Sequence, residues 1–233
     1  MTDSVAAQSR ARASGEHAPH AGPMPYLVMA GVVLYVALDI ITQLLPPHYN
    51  PITRAESDLA VGPYGWVMRL NFVVRGLLSV ALLMTIARNI SSRTNRARVA
   101  LAAWAIWSAG AFVLALFNTD LGATERSLHG KIHLAVALVA FLSVVAAELL
   151  LSRCLTLEPR WNWRGRWATI LAIVTTVAFL FMGVLAKAHI GGLTERIFLG
   201  SVLAWAMVVA IGFAGASHET PTVSSSSAES GWT

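Results

Sequence analysis

Six apolar runs, each close to the roughly 20 residues a helix needs to cross the hydrocarbon core of a bilayer, constrain this chain more than any other feature. They cover 26–45, 67–87, 99–117, 133–151, 168–187 and 197–214. A chain that is 56% hydrophobic and only 12% charged, with a mean hydropathy of +0.61, is too apolar for an ordinary soluble domain. The expected fold is therefore all-α: a polytopic six-transmembrane-helix bundle over 23–216 between two polar tails. The tail 1–22 is rich in Ala, Ser and His, and 217–233 is rich in Ser; neither has the apolar content to order itself, so both are expected to be disordered. The first run reads as a retained helix, because it is long enough to span and Gln43 to Tyr49, with Pro46 and Pro47, offers no small-residue cleavage site. The single cysteine, Cys154, excludes an intramolecular disulfide and reads as a small buried apolar residue.

Basic residues near helix ends are retained on the cytoplasmic side, so their distribution predicts orientation. Arg10, Arg12, Arg88, Arg93, Arg96, Arg98, Arg153, Arg160, Arg164 and Arg166, ten in all, fall in the N-terminal tail and the second and fourth connections. The first, third and fifth connections carry five: Arg54, Arg126, Lys131, Lys187 and Arg196. Both termini are thus expected in the cytoplasm of a cell-membrane protein, with WNWRGRW (Trp161 to Trp167) as an aromatic and basic anchor at that interface. Topology accounts for the net charge of +5, and no nucleic-acid partner is indicated. Membrane lipids are the expected partners, with anionic head groups at the loop arginines.

The opposite connections hold the chemistry. HYNPITRAESDLAVGPYG (His48 to Gly65), FNTDLGATERSLHGKIH (Phe117 to His133) and KAHIGGLTER (Lys187 to Arg196) all carry histidine and carboxylates, which predicts one polar cluster on the extracytoplasmic side. Deeper, Asp39 in the first run and Arg75 in the second lie at similar depth. An unpaired charge there costs roughly 2.5–3.5 kcal/mol even on insertion scales, so an Asp39–Arg75 ion pair is expected, with Asn71 sharing its network and Arg69 above. His129 and His133, spaced i and i+4, share one helix face if the fourth helix starts near Ser127. With Asp120, and His189 as a fourth ligand, they would make a zinc-type site. Yet Gly130 stands where H-E-x-x-H places its glutamate, and hydrogen-bonding or proton-handling roles stay open for both histidines. Axial haem ligation by His133 and His189 is a further alternative. In the first connection Ser57 or Asp58 is expected to cap a short helical turn before the bend at Gly62, Pro63 and Gly65. In the fifth, Gly191 and Gly192 are expected to make a tight turn. Thr194 then serves as N-cap, Glu195 as a first-turn acid, and Arg196 offers a planar fork to a carboxylate or phosphate head group.

These stretches, in this order on six apolar runs, resemble the prokaryotic membrane family known as domain of unknown function 998 (DUF998). The likeness spans about 26–214, and the Ser-Asp-Leu-Ala signature (57–60) followed by Asn71 and Gly76 is its most specific part. A departure is Glu56, where such proteins more often carry an apolar residue. A more distant likeness joins the Frag/DRAM/Sfk group, linked to lipid remodelling and autophagy. The resemblance implies six helices, no established enzymatic mechanism, and functional weight on Ser57, Asp58, Asn71, Gly76, Asp120, His129 or His133, Glu195 and Arg196. Three classes follow. One is lipid-related binding or organisation through the polar cluster. The second is a membrane-embedded metal-dependent hydrolase of a lipid or isoprenoid, with His129 or His133 as acid/base or ligand, Asp58 and Asp120 as partners and Arg196 on the head group. The third is haem-based electron transfer. Neither an internal repeat nor paired Gly/Pro-interrupted spans point to a transporter.

Overall fold

A computed structural model of the chain describes residues 22–90, 94–122, 125–158, 161–185 and 189–215. The expectations for the two tails and for Lys187 fall outside the described residues. Six helices are long and apolar enough to cross a membrane: α1 (Met24–Leu44), α2 (Gly65–Asn89), α3 (Asn95–Leu116), α4 (Leu128–Thr156), α5 (Asn162–Leu185) and α6 (Gly191–Gly215). No strand occurs among the described residues, and the multi-pass, all-α expectation holds.

Several helices run past their apolar stretch because polar residues cap them. Thr94 accepts the Ala97 N–H at 3.3 Å and starts α3 at Asn95. Ser127 accepts the Gly130 N–H at 3.1 Å and starts α4 at Leu128, ahead of the apolar run that opens at His133. At the start of α6 the expected turn is corrected. Gly191 and Gly192 are already helical, and Thr194 lies inside the first turn, its hydroxyl donating to the Gly191 carbonyl at 2.9 Å rather than capping. The left-handed residue that turns the chain is His189, at φ 58°.

Each helix packs on its neighbour in sequence, and α6 also packs on α1 and α2, which closes the bundle. Small residues let the helices approach, as expected where lipid supplies no hydrophobic drive between them. At Gly76 of α2 a Cβ would come within 2.6 Å of the Phe112 ring of α3. Trp104 and Trp205 meet at 5.1 Å between ring centroids. Their indole N–H groups donate to the Ser79 carbonyl and the Ser152 hydroxyl, each at 2.9 Å, so two large rings enter the core without orphaned donors. Trp161 is not the interfacial anchor the sequence predicts: it is buried edge-on against Phe213 at 4.9 Å, and only Trp163 and Trp167 stay exposed. Cys154 is buried and free. The outward faces of α1 and α5 carry Val33, Ile40, Leu180 and Val184, exposed apolar side chains of the kind that face lipid.

Alternation of the helices puts the first, third and fifth connections at one end of the bundle, here the polar end. There the long first connection folds into a short 3-10 helix, Glu56–Ala60, that packs on α1, α2 and α6. Leu59 and Ala60 join Met68, Phe72 and Leu114 in a small apolar cluster beneath it.

Candidate functional site

The 3-10 helix does not form as expected: its N-cap position is Ala55, and neither Ser57 nor Asp58 caps it. Asp58 instead pairs with Arg54, one turn back, at 3.3 Å. The residue that enters the bundle is Glu56, only 3% exposed. Its carboxylate accepts a hydrogen bond from the Tyr35 hydroxyl of α1, while its backbone N–H donates to Glu195 of α6 at 3.1 Å. Burial, and then the Asp39 and Glu195 carboxylates, push the Glu56 carboxyl up to about 8 against the opposing pull of Tyr35 and Arg75, so at neutral pH it carries its proton. Burial also raises Asp58, against its Arg54 partner, and the Tyr49 phenol.

Arg196 ties this connection to α6. Its Nη1 donates to the carbonyls of Pro51 (3.0 Å), Gly192 (3.2 Å) and Arg54 (3.3 Å), and its Nη2 to the Tyr49 hydroxyl at 2.9 Å. A Cβ on Gly192 would lie 2.1 Å from the Arg54 carbonyl oxygen, so glycine is what lets the loop seat there. Where a head group was expected on Arg196, its Nη1 and Nη2 serve the protein's own carbonyls and the Tyr49 hydroxyl, and its buried Nε has no partner.

Asp120 is likewise committed. Its Oδ2 accepts the Ser127 N–H and its Oδ1 the Ser127 hydroxyl, both at 2.8 Å. Asp120 and Ser127 together form the N-terminal cap of α4, and the carboxylate sits where the helix dipole favours it. Gly130 follows from this, because a Cβ there would lie 1.9 Å from Asp120 Oδ2. The two histidines do share α4, as their spacing predicts. His133 is buried and its Nδ1–H donates to the Phe117 carbonyl at 2.7 Å, whereas His129 is exposed and packs on the Phe117 ring at 5.1 Å. His189 sits exposed in the turn before α6. Among the described residues no three of His, Cys, Asp and Glu are grouped to hold a metal ion. The Asp120, His129, His133 and His189 ligand set is therefore not assembled, because capping and carbonyl bonding take the groups it needs.

The Asp39–Arg75 ion pair is also replaced. Asp39 accepts from Gln43, one turn along α1, at 2.6 Å, and among the described residues it forms no ion pair with Arg75. The Arg75 guanidinium lies instead over the Trp107 ring at 4.6 Å and the Phe72 ring at 5.2 Å. Cation–π contact offsets part of its desolvation, but its Nε and Nη2 have no hydrogen-bond partner. Asn71, one turn earlier, reaches only the Met68 sulfur at 3.9 Å and leaves its Oδ1 unpartnered.

These groups surround a cavity of about 250 Å³. Glu56 and Ser57, Arg75, Asp120 and Arg126, His133 and Glu195 form its polar wall; Phe72, Leu114, Phe141, Met182 and Leu199 make the rest apolar. Sites for drug-sized ligands run from roughly 300 to 1,000 Å³, and His189, the expected axial partner of His133, does not line this one. The structure thus brings Ser57, Arg75, Asp120, His133 and Glu195 together and leaves His129 and His189 outside the wall.

Two features escape the sequence patterns. Tyr35 and Tyr49 look like ordinary apolar residues until the loop folds over them. Glu148, well inside α4, is fully buried beside Thr175, whose hydroxyl donates to the Leu171 carbonyl at 2.9 Å. A lone charge deep inside an apolar run was the available signal.

A family model described as "Protein of unknown function (DUF998)" matches residues 29–212. No curated protein and no solved structure matches the chain.

Proposed function

We propose that this chain, which belongs to the DUF998 family, binds a membrane lipid by drawing part of its head group and the adjoining carbons into the cavity at the polar end. One observation carries the reading: the cavity is amphiphilic, with charged and hydroxyl groups on one side and Phe141, Met182 and Leu199 on the other. A wholly polar solute would leave that apolar surface dry, and a hydrocarbon would strand the buried charges. A lipid near its glycerol or first methylenes satisfies both. Holding rather than turnover fits the wall, because Glu56, Glu195 and Asp120 are each bound to a protein neighbour. The excess of arginine in the second and fourth connections favours an extracytoplasmic polar end, cytoplasmic termini and a cell-membrane location.

Thermal unfolding of the delipidated protein in detergent, with lipid added back, tests this. Binding to the folded state alone raises Tm as lipid concentration grows. Ala137 lines the cavity, so Ala137→Phe fills it and is expected to abolish the rise, while Leu180→Phe on the exposed face of α5 leaves it intact. A rise of equal size in both variants would place the lipid elsewhere.

A further inference from the structure

Resting on the lipid-binding reading above, we infer that the cavity recognises an anionic oxygen group, a phosphate in chemical class, and that Arg75 is the residue that holds it. Glu56 is bonded to Tyr35, Glu195 takes the Glu56 N–H, and Asp120 takes both donors of Ser127. Glu56 carries a proton at neutral pH, with its carboxyl pushed up to about 8. Each acid in the wall therefore has its partner within the protein.

Arg75 is the opposite case. It is 2% exposed, it lines the cavity, and among the described residues it takes part in no ion pair. The two nitrogens without partners, Nε and Nη2, form one edge of the planar guanidinium, the edge whose two N–H groups match two oxygens of a phosphate or carboxylate. Phe72 and Trp107 pack their ring faces against the guanidinium, contacts that supply no hydrogen-bond acceptor to either nitrogen. A buried donor without an acceptor is costly, and a buried cation more so; an arriving oxyanion relieves both. Arg126, exposed on the same wall, adds a second positive charge. Arginine suits this task better than lysine because its fork binds two oxygens at once.

The test compares binding of phosphatidic acid and of diacylglycerol with the same acyl chains, by titration of the full-length protein in detergent micelles. The wild type is expected to bind phosphatidic acid tighter by about tenfold or more, the ratio of one charge-assisted hydrogen bond. Arg75→Gln is expected to remove that preference, Arg75→Lys to keep part of it, and Arg69→Gln, at an exposed position on α2, to leave it unchanged. Should Arg75→Gln not fold, the wild-type preference and its reduction in Arg75→Lys decide the matter. Inorganic phosphate is the competing probe. Displacement of phosphatidic acid by it assigns the site to the oxyanion itself, free or esterified, and failure to displace assigns it to the lipid head group. Equal binding of both lipids by the wild type, or a preference that survives Arg75→Gln, overturns the inference. If the lipids bind equally and Ala137→Phe abolishes both, the lipid-binding reading stands and only the anion is lost; binding that survives Ala137→Phe and Arg75→Gln overturns both.

Discussion

Glu56 shows how little of a site a single position reveals on its own. In sequence it is the residue that departs from the pattern before Ser57 and Asp58; in the fold it is the most buried acid of the polar end. Its burial makes a signed prediction. An unfolded glutamate releases its proton near 4.5, whereas the folded one holds it to about 8. Between those values the folded state binds more protons, so this group's contribution to stability is full below about 4.5 and is lost as pH rises through about 8. Tm measured from pH 5 to pH 9 is expected to fall across that window, and Glu56→Gln to flatten the fall; a slope unchanged by the substitution would contradict the assignment. Gly130 is a second residue-scale case. Its absence of a side chain reads from sequence only as a flaw in the metal motif, but it leaves room for the Asp120 carboxylate. Gly130→Ala must push that carboxylate off the cap, at a cost of about 1–2 kcal/mol. Ser127→Ala breaks the same cap, so the double variant is expected to lose less than the sum of the two, as thermal or denaturant unfolding will show. The same scale explains why the metal and the ion pair were misread. Spacing places His129, His133 and Arg75 on their helices correctly, but whether a carbonyl, a cap or an aromatic ring reaches them first depends on other segments.

At the scale of elements, the existence and order of the six helices were legible because each is a long apolar run with nothing comparable around it. Their ends were not. Hydropathy stops at the last apolar residue, while the helix runs on to its cap, as Thr94 and Ser127 do for α3 and α4. The first connection was legible as a short helical turn and a bend, from Ser57, Asp58 and its Pro and Gly residues, yet its anchoring was hidden in a partner far along the chain. Arg196 holds it through the Pro51 and Arg54 carbonyls and the Tyr49 hydroxyl, and Gly192 admits it. Gly192→Ala has no soft neighbour to displace, since the atom it meets is backbone. Limited proteolysis is expected to cut 45–64 faster in Gly192→Ala and in Arg196→Lys, which keeps charge but loses the fork; an unchanged rate in both would mean that the loop is held otherwise. Glu148 makes a contrasting prediction for α4. Buried inside α4 beside Thr175, the Glu148 carboxyl is costly to desolvate, so Glu148→Leu is expected to raise Tm. A lowered Tm would show that the carboxyl is bound to something in the native membrane.

Across the whole molecule, the asymmetry between the two ends is the feature that sequence and structure share. Arginine collects at the end with the second and fourth connections, and Glu56, Glu195, His133 and the cavity at the other. Cysteines introduced at Glu125 and Arg96, both exposed, in a Cys154→Ala background report the orientation: an impermeant thiol reagent applied to intact cells is expected to label position 125 and not position 96. The reverse would invert the topology while leaving the bundle as described. The central claim is that the cavity at the polar end is a ligand site and not a packing gap. An experimental density map of the protein in nanodiscs made from native lipid tests it most directly. Non-protein density is expected inside the cavity, touching Arg75 and running along Phe141 and Leu199. A cavity closed by its own side chains, or one holding only scattered water, would contradict it.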